Sequence, residues 1–559
     1  MKTYMTMFAL AAIFLALSAL IGSRDRKDRE EKERRHLKEG FGKKGNKVYP
    51  DGRTAQIPAY FMRHPGDFQI DDITWNDLDM DLLFQSMDTT CSSPGEEYLY
   101  RLLRCPRTGG TSPLSGDGMQ WWTAHEEERI RVQRILLTAG INSRISVYEY
   151  LDRLDGLEDR SPVSDLPAVI LPALSLAVMA YRPSVGICCL LASFAFNIVS
   201  YFRVKRQIGP YLITIRYVLR LLQCAGRLTE ESFPHYAREK EVLRTQVRSF
   251  KRFRAGSSIL LRNTSGTGTG NPLDLILDYL CILFHIDLFK FGSMVRALRG
   301  KEKGIDDLIA SIGSIDAQIS IASYRESLPV YCIPDLTGSG FEADGLIHPL
   351  LEKPVPNTLH TGRPVLLTGS NASGKSTFLK AAALAALLSQ TIDTAPAERY
   401  KSCCCRIFTS MALRDDIRSG ESYFIVEIRS LKRVLDASCD GSKVPVLCCV
   451  DEVLRGTNTI ERISASAEIL DRLADRGILI FAATHDMELT DLLRERYVNY
   501  HFSETMNEGD VTFSYKLLDG PADSRNAIRL LRALGYDEEI ADRAEERAKR
   551  FMDTGRWIM

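Results

Sequence analysis

Gly369-Ser370-Asn371-Ala372-Ser373-Gly374-Lys375-Ser376-Thr377 opens on a full match to the phosphate-loop pattern G-x-x-x-x-G-K-[ST]. Its flanks suit that reading. Pro364-Val-Leu-Leu-Thr368 reads as a short buried strand, and Thr377 to Leu388 reads as a helix of strong formers, rich in alanine and leucine. A glycine-rich turn between a strand and a helix aims backbone N–H groups and the helix N-terminus at phosphate. In such a turn Lys375 reaches the β- and γ-phosphates of ATP and Ser376 holds Mg²⁺. The expected fold is α/β, a P-loop ATPase domain with a parallel-rich sheet flanked by helices.

Two further stations complete the site. Val444-Pro-Val-Leu-Cys-Cys-Val450 is a continuous apolar run, as expected for a parallel strand covered on both faces, and it ends in Asp451-Glu452. An acid pair at the carboxyl end of such a strand suits metal support by Asp451 and polarisation of the attacking water by Glu452. Ile478-Leu-Ile-Phe-Ala-Ala483 is another buried strand, followed by Thr484-His485. Alone, His485 would be an ordinary surface histidine; beside the other two stations it reads as a contact to the γ-phosphate.

Between these stations lies Ser419-Gly-Glu-Ser-Tyr-Phe-Ile-Val-Glu427. With it the chain resembles the MutS family of ABC-type ATPases. The family's G-P-N-M-G-G-K-S-T corresponds to Gly369–Thr377, its S-T-F-M-V-E-M to Ser422–Ile428, and its D-E-x-G-R-G-T-S-T to Asp451–Thr459. The resemblance implies a homodimer in which Ser422 acts in trans, its segment capping nucleotide bound by the partner subunit. Leu454 stands where the family usually has glycine, and Ser370 and Ser373 replace proline and glycine. An L-S-G-G-Q signature is absent, which argues against a transporter subunit. Tyr515–Gly520, Ser524–Ile528 and Gly535–Ile540 look like the approach to the family's C-terminal dimerising helices. Asp71–Asp88 with Gly95-Glu-Glu-Tyr-Leu-Tyr100 resembles, more loosely, the start of its helical core. Fewer than about 50 residues outside the first apolar stretch precede that match, too short for the family's mismatch-recognition domain. Phe502-Ser-Glu504, a match to that domain's F-x-E, falls inside the ATPase and reads as chance.

Tyr4 to Gly22 is a 19-residue stretch without charge, enough to span a bilayer core, and Arg24, Arg26, Lys27, Arg29, Lys32, Arg34 and Arg35 follow it. That flank places the C-terminal side in the cytoplasm. A cleaved signal peptide fits less well, since only Lys2 precedes the apolar run. Leu166 to Phe202 is apolar apart from Arg182-Pro-Ser184 and reads as a helical hairpin. Either it crosses the membrane, giving three transmembrane helices in all, or it is buried in a soluble core. The three-span topology leaves the ATPase cytoplasmic on a multi-pass protein of a bacterial inner membrane.

The boundaries that follow are an anchor at 1–23, a charged segment at 24–70, and core domain pieces at 71–165 and 203–331. The hairpin at 166–202 lies between those pieces; the ATPase at 332–520 and dimerisation helices at 521–559 complete the chain. Lysine plus arginine and aspartate plus glutamate both number 72 of 559 residues, so net charge does not point to nucleic acid. Thirteen cysteines lie mostly in apolar runs such as Cys403-Cys-Cys405, as small core residues of a reducing compartment do. His125-Glu-Glu-Glu128 has no second histidine at i+4 and is no zinc site. Arg244, Arg248, Lys251, Arg252 and Arg254 form a basic run beside the loop Asn263–Asn271, suited to phosphate contacts or to a solvated helix face. ATP hydrolysis coupled to DNA binding is therefore expected. The alternative is a nucleotide-driven membrane switch acting on protein partners.

Overall fold

The computed structural model describes residues 27–142, 166–254, 279–370, 373–411, 423–454, 457–507, 510–522 and 535–554, with isolated positions between them. The apolar stretch Tyr4–Gly22, the loop Asn263–Asn271, and Asn371, Ala372 and Ser422 lie outside the described residues. The chain divides into two compact units. The first holds Met1–Arg63, Asp88–Arg101 and Ser115–Ser323; the second holds His64–Met87, Leu102–Leu114 and Tyr324–Met559.

The second unit is built on a six-stranded sheet. In chain order the strands of this unit are β1 (Thr337–Leu346), β2 (Asn357–Thr361), β3 (Val365–Thr368), β4 (Arg399–Cys403), β5 (Arg406–Ser410), β6 (Val446–Asp451), β7 (Leu479–Ala483), β8 (Val498–Asn507) and β9 (Asp510–Asp519). The large sheet runs β5-β6-β7-β3-β8-β9, and β2-β1-β4 form a smaller one. β5 through β8 are parallel in that sheet, and only β9 returns antiparallel. The fully buried β3, β5 and β6 explain the unbroken apolar runs, because both faces of a parallel strand are covered. The helix Lys375–Thr391 follows β3 and is buried almost all round, which is why its sequence shows no polar face.

Residues 71–87 stand in the unit of the sheet, not with the helical core to which the boundary at 71–165 assigns them. They cap the edge strand β5. Thr409 donates its hydroxyl to Asp77 Oδ2 at 2.7 Å, the Met411 N–H donates to the same oxygen at 2.9 Å, and Arg433 donates to Asp71 at 2.7 Å. An edge strand exposes unpaired backbone groups; here Thr74 Oγ1 accepts from the Thr409 N–H at 3.3 Å and Arg433 donates to Thr409 O at 2.6 Å.

The first unit is helical. Glu126–Ala139, Pro183–Glu230, Ala237–Ser249 and Ile286–Leu298 are among its helices. Trp122 is fully buried and donates its indole N–H to Tyr236 at 2.7 Å. The charged N-terminal segment is not simply solvated: Arg34, Lys38 and Glu30 pair with Glu127, Glu126 and Arg134 at 2.5, 2.7 and 3.1 Å. Solvent screens exposed pairs of this kind, so they orient the segment more than they hold it.

The apolar hairpin folds as Pro167–Tyr181 and Pro183–Glu230, turning at Arg182. The boundary at Phe202 lies inside one continuous 48-residue helix, since Arg203, Lys205 and Arg206 are good helix formers and supply no stop. Among the described residues one segment, Pro183–Gly209, is long and apolar enough to cross a membrane, with mean hydropathy 2.0; Pro167–Tyr181 is shorter. Leu174, Leu191 and Val199 are 62, 64 and 69% exposed. The segment 279–298 also packs on the hairpin, a contact the sequence reading did not anticipate. Asn197 donates to Leu283 O at 2.8 Å and Tyr201 donates to the buried Asp287 at 2.8 Å.

Candidate nucleotide site

The carboxyl ends of β3, β7 and β6 lie side by side, so the three sequence stations converge. At the end of β3, Gly369 has φ 138° and Gly374 has φ 113°, conformations that favour glycine. A Cβ on Gly369 would also lie 2.6 Å from Phe502 O. Lys375 is buried and donates to Gly369 O at 2.7 Å and Ser370 O at 2.8 Å, so its ammonium is folded over its own loop. Ser376 Oγ donates to Asp451 Oδ2 at 2.5 Å. His485 Nε2 stands 2.8 Å from Glu452 Oε1. The Thr484 N–H donates to Leu367 O and the Glu452 N–H to Ala483 O, both at 2.9 Å, which locks the stations to the sheet. Thr377 lines the same cavity, of about 420 Å³, as Ser370, Gly374, Lys375, Ser376, Asp451 and Glu452.

The residues fit a nucleotide phosphate with a divalent cation. Ser373 Oγ is fully buried and has no hydrogen-bond partner among the described residues. A buried hydroxyl in that state is unfavourable unless something is there to receive it. Ser376 and Asp451 supply hard oxygens of the kind Mg²⁺ prefers.

Comparison with known proteins agrees. The family model for MutS domain V matches residues 365–552. The DNA mismatch repair protein MutS of Natronomonas pharaonis is 32% identical over 268 residues, which is 46% of this chain and 31% of that protein. Over residues 365–552 the chain is similar to MutS domain V. The MutS of Thermotoga maritima is 31% identical over 272 residues, 46% of this chain and 33% of its own length. A protein named DNA mismatch repair protein MutS 2, from Halobacterium salinarum, is 33% identical over 248 residues, 42% and 28% of the two chains. The chain spans about a third of the length of these curated MutS relatives.

Several residues that line the cavity are not among those the sequence motifs point to. Leu346, His348, Leu351, Val355, Phe502 and Tyr515 form the less polar wall. Phe502 is not a DNA wedge; it is buried against Phe378, ring centroids 5.8 Å apart, beneath the phosphate loop. Asn357 donates to Tyr515 O at 3.0 Å and accepts from the Leu517 N–H at 2.8 Å, tying β9 to the approach to β3. Most of them lie in Gly345–Leu351 and Val355–Asn357, the approach to β3, and in Tyr515–Gly520 on β9.

Leu454 departs from the MutS glycine and keeps the glycine's conformation, with φ 60°; Glu452 likewise has φ 59°. A left-handed leucine costs about 1–2 kcal/mol. Yet Leu454 is 4% exposed inside the cluster formed with Val450, Val453 and Leu470, and deleting a buried leucine side chain costs about 2–5 kcal/mol. Burial wins. Leu454→Gly is expected to destabilise the protein by about 1–3 kcal/mol in chemical denaturation even though it relieves the backbone. An increase in stability would show that strain dominates. The Leu454 N–H donates to the buried Glu427 Oε1 at 2.5 Å, linking the acid-pair loop to the helix Tyr423–Ala437.

Proposed function

We propose that this chain is a membrane-anchored, MutS-like ATPase that binds and hydrolyses ATP as a dimer and couples the cycle to DNA. The observation that carries the reading is the convergence on one cavity of the Ser376–Asp451 contact at 2.5 Å and the Glu452–His485 contact at 2.8 Å beside Lys375. Ser376 and Asp451 would hold Mg²⁺, which supplies charge neutralisation on the phosphates. Ser370, Ser373, Gly374 and the N-terminus of the helix Lys375–Thr391 bind phosphate oxygens, together with Asn371 and Ala372 of the same loop. Lys375 turns from Gly369 O and Ser370 O toward the β- and γ-phosphates. Glu452 orients the attacking water and accepts its proton, and His485 fixes the Glu452 carboxylate and meets the γ-phosphate. Leu346, Val355 and Tyr515 offer an apolar seat for the base. Positioning and charge complementarity account for the catalysis. Dimerisation, with Ser422 reaching the partner subunit's nucleotide, rests on the family alone.

The exposed side chains of the hairpin support insertion into a bilayer, and the names of the relatives, together with the exposed Arg244, Arg248, Lys251 and Arg252, support DNA as the partner. The hairpin equally suits a second reading, a membrane switch for protein partners without DNA contact. Purified full-length protein in detergent should turn over ATP, and Lys375→Ala should lose nucleotide affinity and turnover together. DNA affinity should fall steeply with salt, as phosphate contacts require. Turnover unaffected by Lys375→Ala would reject the site. Absence of DNA binding at low salt, with and without ATP, would leave the membrane switch.

A further inference from the structure

The turn that follows β6 is held in an unusual shape. Glu452 and Leu454 flank Val453 with φ 59° and 60°, both in the left-handed region. Residues other than glycine stay there only where their surroundings over-determine the backbone. Three hydrogen bonds do so here. The Glu452 N–H donates to Ala483 O at 2.9 Å, and Ser466 Oγ donates to Val453 O at 3.2 Å. At the far end, the Leu454 N–H donates to Glu427 Oε1 at 2.5 Å.

Glu427 reaches the turn from a firm support. It is 2% exposed and belongs to the helix Tyr423–Ala437. Leu431 and Val434 of that helix are buried in the same core cluster as Val453 and Leu454. The helix therefore grips the turn twice, through apolar side chains and through one carboxyl oxygen. Glu452, at the start of the turn, lines the nucleotide cavity and stands 2.8 Å from His485 Nε2. In a turn this short, the path of Leu454 helps set where the Glu452 carboxylate points. Without Glu427 the buried Leu454 N–H would lose its acceptor, an unfavourable state that the turn can escape by changing its path. A misplacement of about 1 Å at a reacting group can cost on the order of 10² in rate.

We propose that Glu427 is a positioning residue for hydrolysis: through the Leu454 N–H it holds the left-handed turn that aims Glu452 at the attacking water. The inference rests on the reading of Glu452 as the general base. Glu427 itself touches neither nucleotide nor water in this scheme, so its effect passes entirely through Glu452.

Single-turnover hydrolysis and filter retention of labelled ATP, measured on the full chain in detergent, test this. Glu427→Leu should lower the hydrolysis rate about 10- to 100-fold while ATP retention stays within about twofold. Glu427→Asp is one methylene shorter and draws the acceptor back while keeping a carboxyl. It should lower the rate about 5- to 50-fold and carries the test if the leucine variant does not fold. Glu427→Gln offers an acceptor oxygen at full length and should bring the rate to within about threefold of the unaltered chain. In a Glu452→Gln chain, Glu427→Leu or Glu427→Asp should slow hydrolysis by less than about a further twofold, because nothing remains to be positioned. A residue that only supports the fold would show its full effect in that chain, or would lower ATP retention together with the rate. Either result overturns the inference. So does turnover that Glu452→Gln slows but Glu427→Leu and Glu427→Asp leave within about twofold, which would spare the ATPase reading. An unaltered chain that does not hydrolyse ATP would instead remove that reading, and this inference with it.

Discussion

Replacing Glu452 by glutamine is expected to leave ATP bound and slow its hydrolysis on the order of 10²- to 10⁴-fold, the usual contribution of a positioned general base. The substitution keeps the side chain's length and its reach to His485 Nε2, which stands 2.8 Å from Glu452 Oε1. It removes only the group that takes a proton from water. Ser376 and Asp451, 2.5 Å apart, are untouched, so nucleotide and metal affinity should persist. Lys375→Ala predicts the opposite pattern, loss of binding with loss of turnover. Filter retention of labelled ATP beside a steady-state phosphate-release assay separates the two. Turnover in Glu452→Gln within a few-fold of the unaltered chain would remove Glu452 from the role of base, and loss of ATP retention would make it a binding residue. The left-handed backbone at Glu452 gives the same substitution a second use. Because glutamine inherits the same φ, any change in rate reports on the carboxylate and not on backbone strain.

The nucleotide site was legible because its parts are local. Gly369–Ser376 carries a spacing that only a strand–turn–helix serves, and Asp451-Glu452 and Thr484-His485 each end an apolar run of strand length. Parallel neighbours then bring those ends together without any further information. What escaped the sequence depends on contacts between distant residues. Nothing near Asp77 indicates that its carboxylate will take the Thr409 hydroxyl and the Met411 N–H on an edge strand. Phe502 looked like a chance motif because its partner, Phe378, is far away in the chain. Leu454 was visible as a departure from a glycine, yet the core that compensates its backbone was not. Gly95 shows the middle case. It belongs to a recognised pattern, and the structure supplies the reason: a Cβ there would lie 2.3 Å from Asp316 Oδ2.

That crowding around Asp316 belongs to a buried ionic network, and Arg53→Met is expected to cost about 3–5 kcal/mol of stability, as breaking a buried pair does. Arg53 is 1% exposed and donates to Glu96 at 2.6 Å, to Glu97 at 3.0 Å and to the carbonyls of Ser93 and Asn142 at 3.2 and 3.3 Å. Lys47 adds a second cation beside Glu96 at 2.5 Å and Asp88 at 3.3 Å. Four carboxyls, those of Asp88, Glu96, Glu97 and Asp316, thus share two cations. The excess acid is met by protonation. Burial pushes Glu97 and Asp316 each up to about 7, with Arg53 opposing the rise at Glu97 and the Ser92 hydroxyl opposing it at Asp316. In the unfolded chain both titrate near 4, so between about pH 4 and 7 the folded protein binds more protons than the unfolded one. Stability contributed by these two groups is therefore complete below about pH 4 and falls as pH rises through 7. Without Arg53 the Glu97 carboxyl loses its nearest cation and should stay protonated to higher pH, so the penalty of the substitution should grow from pH 5 to pH 8. Urea denaturation of the full chain in detergent at those two pH values measures both effects. A loss below about 1 kcal/mol, or one that shrinks toward pH 8, would mean that the guanidinium does not neutralise the buried acids.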